Sequence, residues 1–97
     1  MASAKSRELS VPDHVVWKEL GGEMVLLDLQ SGEYLTLSET AAFIYLRVAR
    51  GEVEEAVLAE MMQTYEGDEA VMKQKTADFL DEMLEVGYLT SGGTAGG

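Results

Sequence analysis

The stretch Gly32-Glu33-Tyr34-Leu35-Thr36-Leu37-Ser38-Glu39-Thr40-Ala41-Ala42-Phe43 changes its periodicity halfway along. Tyr34-Leu35-Thr36-Leu37 alternates with period two, which places Leu35 and Leu37 on one face of a strand and Tyr34 and Thr36 on the other. From Ala42 onward the apolar positions Ala42, Phe43, Leu46 and Val48 or Ala49 recur at three and four until Gly51 stops the run. Ser38 stands between the two patterns as a helix N-cap, with Glu39 just inside the first turn. Strands are therefore expected before Ser38 and helices after it.

Working backward, His14-Val15-Val16-Trp17-Lys18-Glu19-Leu20 is rich in β-branched and aromatic residues, and Gly21-Gly22 follows as a two-residue hairpin turn. Met24 to Leu29 forms the returning strand, and Gln30-Ser31-Gly32 turns the chain into Tyr34 to Leu37. These three strands make an antiparallel meander. Working forward, Val53 to Thr64 carries Val53, Val57, Leu58, Met61 and Met62 on one stripe, and Tyr65-Glu66-Gly67 breaks it. Asp68 caps a third helix to about Val86, with Met72, Thr76, Phe79, Leu80, Met83 and Leu84 on one face. Gly87 ends it, and Tyr88-Leu89-Thr90 forms a short last strand. Three strands followed by three helices predict an α+β domain, a small sheet against a helical layer.

The chain of 97 residues is the size of one domain, and 46% apolar with 26% charged residues is a globular composition. The predicted organisation is a flexible N-terminus at 1–11, a folded domain at 12–90 opened by Pro12, the only proline, and a flexible Gly-rich tail at 91–97. No cysteine and a single histidine remove disulfides, thiolate sites and Ser-His or Cys-His pairs. No apolar stretch has the length of a signal-peptide core or a membrane span, so a soluble, cytoplasmic protein without cofactor or metal is expected. The net charge of −11 argues against nucleic acid and anionic membranes as partners. Residues 1–20 balance, so the whole excess falls on residues 21–97, which hold four basic and fifteen acidic side chains.

Several segments together resemble the PqqD-like family, small domains that recognise the leaders of ribosomally made, post-translationally modified peptides. They are Val25-Leu26-Leu27-Asp28-Leu29, Ser31-Gly32-Glu33-Tyr34-Leu35-Thr36-Leu37-Ser38-Glu39-Thr40-Ala41, the aromatic-containing first helix, and Phe79-Leu80 through Leu84 to Gly87-Tyr88-Leu89. The likeness spans residues 12 to 90. Val11-Pro12-Asp13-His14-Val15-Val16 and Leu27-Asp28-Leu29 look most like the stand-alone recognition proteins of lasso-peptide pathways. The chain departs from many relatives in having Ile44-Tyr45 for Ile-Trp, Ala41 for a Gly after the Thr, and Glu52-Val53-Glu54-Glu55 for a Thr cap on helix two. The resemblance implies a winged helix-turn-helix-like domain that does no chemistry. The leader would lie between the third strand and third helix as an added antiparallel strand and be handed to a transglutaminase-like leader peptidase. A near alternative is a PqqD-type peptide chaperone for a radical S-adenosylmethionine enzyme.

The residues supply a physical reason for strand addition. Tyr34, Leu35, Thr36 and Leu37 form the last strand of the meander, and this edge contains neither Pro nor Lys, the usual edge protectors. Tyr34 and Thr36 either flank a peptide or are ordinary half-exposed strand residues; Leu35 reads first as core, with an outer flank against an added strand. On helix three, Val71, Lys75, Phe79, Glu82 and Val86 form a mixed line suited to a groove wall, with Phe79 and Met83 shared with the core stripe. Lys75 is either a partner for an acidic leader side chain or a solvated charge. Trp17 reads as a structural anchor, His14 lacks a second metal ligand, and the pairs Glu54-Glu55 and Asp81-Glu82 read as solvated helix faces. A winged-helix DNA regulator competes, since helices two and three are a helix-turn-helix pair. Charge opposes it: residues 68–86 hold Lys73 and Lys75 against six acidic groups.

Overall fold

The computed structural model describes residues 7–91; of the flexible ends expected at 1–11 and 91–97, residues 1–6 and 92–97 lie outside the described residues. The elements run β1 (Leu9–Ser10), β2 (Val15–Leu20), β3 (Glu23–Asp28), β4 (Tyr34–Leu37), α1 (Glu39–Ala49), α2 (Glu54–Thr64), α3 (Glu69–Val86) and β5 (Thr90–Ser91). The expected α+β order of a three-stranded antiparallel sheet followed by three helices is present, with the sheet ordered β2-β3-β4. Gly21 and Gly22 close the first hairpin with φ of 55° and 89°. Two successive positive φ values are what a tight turn matched to strand twist requires, and only Gly adopts both without steric cost. The second turn is held by Asp28, whose Oδ1 accepts from the amides of Gln30 at 2.8 Å and Ser31 at 3.3 Å, while its carbonyl accepts from Gly32 at 2.8 Å. Those two amide donors hold the Asp28 carboxyl below its ordinary range.

Each helix is capped as its sequence suggests, except α2. Ser38 accepts from Ala41 N–H and Asp68 from the amides of Ala70 and Val71, whereas α2 starts at Val53 without a side-chain cap. Its first amide, that of Glu54, instead donates to the carbonyl of Arg7 at 3.0 Å. Gly87, at φ 89°, ends α3, and the Met83 carbonyl accepts the amides of Gly87, Tyr88 and Leu89.

The core forms where the inner face of β3 and β4 meets the helices. Met24 and Leu26 from β3, Tyr45 and Val48 from α1, Val57 from α2, and Leu80 and Met83 from α3 are all at most 2% exposed. Full burial of each such side chain contributes on the order of 2 kcal/mol. Tyr45 is the one polar-tipped member of that group, and its hydroxyl donates to the carbonyl of Tyr88 at 2.8 Å.

Two expectations are corrected. The folded part begins before Pro12: Leu9 is 4% exposed within the core, and Leu9–Ser10 pairs antiparallel with Thr90–Ser91. A two-residue strand has no periodicity to read, so its only signal is a partner about eighty residues away. Trp17, expected as a structural anchor, lies outside the buried core. It shares a face with Leu26, its cross-strand neighbour, but sits on the outermost strand and remains 39% exposed while α1 packs over β3 and β4. Among the described residues, no helix is long and apolar enough to cross a membrane.

Candidate functional site

Among the described residues, β4 pairs with β3 on one side only. The phase of that pairing follows from one bond: Asp28 N–H donates to the Glu33 carbonyl at 2.9 Å, one register step before Leu27 meets Tyr34. Hydrogen-bonded and non-hydrogen-bonded pairs alternate along an antiparallel ladder. Leu35 and Leu37 therefore direct their main-chain groups at Leu26 and Met24, while the N–H and C=O of Tyr34 and Thr36 face the open edge. The side chains divide the same way in the perpendicular direction. Leu37 is 4% exposed and Leu35 half-buried on the core side, whereas Tyr34 is 72% exposed and Thr36 exposed on the other.

The chain leaves β4 into the first turn of α1, and there a cavity of about 310 Å³ opens. Thr40, Ala41 and Ile44 of α1 form one wall, Met61 and Tyr65 the second, and Val71, Met72, Lys75 and Phe79 of α3 the third. Tyr65 is held by an edge-to-face contact with Phe43, with centroids 5.5 Å apart at 73°. Phe43 in turn lies under the Arg47 guanidinium, 3.6 Å from the ring centroid, and Arg47 Nε bonds Glu60 Oε1 at 2.6 Å. The Tyr65 wall is thus built by a chain of contacts between α1 and α2. The α2–α3 link contributes Glu66, Gly67 and Asp68, so Lys75 is the one cation of a lining whose other charged residues are acidic.

The expected site residues are distributed unevenly in this geometry. Val71, Lys75 and Phe79 line the cavity together, and Tyr34, Leu35 and Thr36 form the open edge. Leu37 and Met83 are core residues, 4% and 2% exposed, and back the strand and the helix rather than forming an open surface. Glu82 is exposed on α3 and does not line the cavity. Thr40, Ile44, Met61 and Tyr65 were not expected at the site. Tyr65 reads in the sequence only as the end of a helix, and its place depends on how α1 meets α2.

A second, larger cavity of about 410 Å³ lies between α2 and α3 and shares no lining residue with the first. On its flank Arg7 bridges the two helices, with Nε on Glu54 Oε1 at 2.7 Å and Nη1 on Asp81 Oδ1 at 2.6 Å. These two carboxylates hold the Arg7 guanidinium protonated even more firmly than usual.

An antiparallel sheet with an open last strand is followed by three helices and a cavity at the first turn of the helix that continues from that strand. Residues 23–89 match the family described as Coenzyme PQQ synthesis protein D (PqqD), and the chain belongs to that family. Among solved structures it is similar to TbiB1 in complex with the TbiA(beta) leader peptide, with 26% identity and a TM-score of 0.79 over 82% of this chain and 93% of that one. It is equally similar to a lasso peptide synthetase B1 complexed with the leader peptide, with 28% identity and a TM-score of 0.79 over 86% of this chain and 98% of that one. No curated protein matches the chain.

Proposed function

We propose that this protein is a non-catalytic leader-peptide-recognition module of lasso-peptide biosynthesis. It binds the leader of a ribosomally made precursor as an added antiparallel strand between β4 and α3, and delivers it to a leader-processing protease. The observation that carries this reading is the open β4 edge, with the main-chain groups of Tyr34 and Thr36 unpaired by β3, beside the cavity containing Val71, Lys75 and Phe79. Main-chain pairing supplies affinity without regard to sequence, and the cavity selects side chains. An added strand presents alternate side chains to the two faces of the sheet, so every second leader residue faces Leu35 and α3. The likeness to two leader-peptide complexes over most of the chain supports the same reading. Presentation to a radical S-adenosylmethionine enzyme, the alternative within the family, uses the same groove and differs only in the recipient.

The test uses a fluorescently labelled leader and versions of it N-methylated at successive backbone positions. The expected result is saturable binding in the micromolar to nanomolar range, about −8 to −12 kcal/mol. Methylation should abolish it at alternate positions within one short segment and be tolerated at those between. A leader whose affinity ignores N-methylation everywhere overturns the edge-addition model.

A further inference from the structure

The cavity between α2 and α3 lies outside the leader groove and has its own chemistry. Its floor is apolar: Leu58 is half-buried, Ala59 exposed and Met62 37% exposed, all on one side of α2. Its rim is acidic, with Glu54 and Glu55 at one end and Glu69 at the other, and Lys73 as the single cation. Helix α2 itself carries three glutamates and no basic residue. Thr76 contributes a second, independent feature. It is 1% exposed, it lines this cavity, and its hydroxyl has no hydrogen-bond partner among the described residues. A buried hydroxyl left unmatched in the free protein is stabilised by any ligand that brings an acceptor to it.

The chain shows what kind of group this inter-helix groove accepts. Arg7, two residues ahead of β1 and distant in sequence, lays its guanidinium across Glu54 and Asp81, while its carbonyl takes the first amide of α2. An arginine remote in sequence is thus already bonded at the Glu54 end of the groove, and the remaining length is apolar, with Glu55 and Glu69 along its edge beside Lys73.

We propose that the α2–α3 groove docks a basic segment of the enzyme that receives the leader, one with an apolar side chain for the Leu58–Met62 floor and an adjacent arginine or lysine for the glutamate rim. The inference rests on the delivery role proposed above and adds the surface through which delivery occurs. The recipient then grips the face of the helical pair that the leader does not occupy, so leader and enzyme are held at once.

The probe is a short acetylated amphipathic helix of Leu, Ala, Gln and Arg, the Gln side-chain carbonyl serving as acceptor for Thr76, compared with a counterpart carrying Glu for Arg, and titrated into the full chain by amide NMR. The basic probe should give saturable shifts centred on Leu58, Met62 and Thr76, unchanged when the leader groove is first filled, and the acidic one none. Ala59→Arg, which places bulk and positive charge on the floor, should weaken probe binding about tenfold or more and leave leader affinity intact. Thr76→Val separates docking from folding, because it removes an unmatched buried hydroxyl: it should raise the melting temperature and yet lower probe affinity. With the recipient protease, Ala59→Arg should bind leader normally and lose stimulation of cleavage. Non-saturating shifts spread over the acidic surface, competition with the leader, or indifference to both substitutions overturns the docking site. Failure of leader binding to the unaltered protein overturns the proposed function instead.

Discussion

The hydroxyl of Tyr45 donates a 2.8 Å hydrogen bond to the main-chain carbonyl of Tyr88, joining the middle of α1 to the chain just after α3. Both residues are buried, so the bond is made where water cannot replace it. Tyr45→Phe keeps the ring and leaves the Tyr88 carbonyl unmatched, which should cost about 1–3 kcal/mol in urea denaturation. A loss below a few tenths of a kcal/mol would show that the carbonyl finds another donor.

The same pair sets an alkaline limit. Desolvation pushes the hydroxyls of both Tyr45 and Tyr88 above the ordinary tyrosine value, and nearby Asp28 and Glu33 add to the effect at Tyr88. Where the unfolded chain has released these protons the folded one still holds them, so the unfolded state binds fewer protons and stability falls as pH rises. The contribution should be fully present below about pH 10, the unfolded tyrosine range, and lost progressively above it. Denaturation midpoints measured across that range should decline, and more gently in Tyr45→Phe.

Arg7 makes the α2–α3 pair dependent on a segment remote in sequence. Its guanidinium reaches Glu54 and Asp81 at once, a geometry a single ammonium point cannot reproduce. Arg7→Ala should cost roughly 1 kcal/mol, discounted because the Asp81 end is exposed, and Arg7→Lys should recover only part of it. Thermal melts at low and high salt check this: the difference between wild type and Arg7→Ala should shrink as salt rises.

The ladder phase distinguishes neighbouring residues of β4. Leu35 donates its amide toward β3, so Leu35→Pro breaks the sheet and should destabilise by about 3 kcal/mol or more. Thr36 directs its amide to the open edge, so Thr36→Pro should leave the fold cooperative and lower leader affinity at least tenfold. Circular dichroism with leader titration tests both, and the opposite ranking would place the ladder out of phase.

Val71 tests the α3 wall without touching the core, since it is 50% exposed and lines the cavity beside β4. Val71→Glu should change stability by less than about 0.5 kcal/mol and weaken leader binding by about tenfold or more. An unaltered affinity would move the leader's anchor away from this cavity.

Local signals carried most of the architecture. The change of period at Ser38, the Gly21-Gly22 turn, the Asp68 cap and the Gly87 stop each depend on residues within a few positions of one another, and a chain can encode those without reference to its fold. The open edge was legible for the same reason, as Tyr34 to Leu37 is the last strand of a meander. The cavity lining was not. Tyr65 marks only a helix end until Phe43 and Arg47 hold it in place, and Met83 belongs to the wall or the core according to the rotation of α3. Leu9 and Ser91 flank the whole domain and pair through two-residue strands too short to have a pattern. The acidic excess was read from the sequence, but its arrangement as a rim around Leu58 and Met62, with Thr76 unmatched beneath, exists only when α2 packs on α3. Sequence alone determined the three strands of the meander, the three helices, where the helices stop and the sign of their surface, because propensity, capping and charge act over a few residues. Tertiary structure alone decided which side chains share a groove, because burial and register join residues across distances that no local pattern spans.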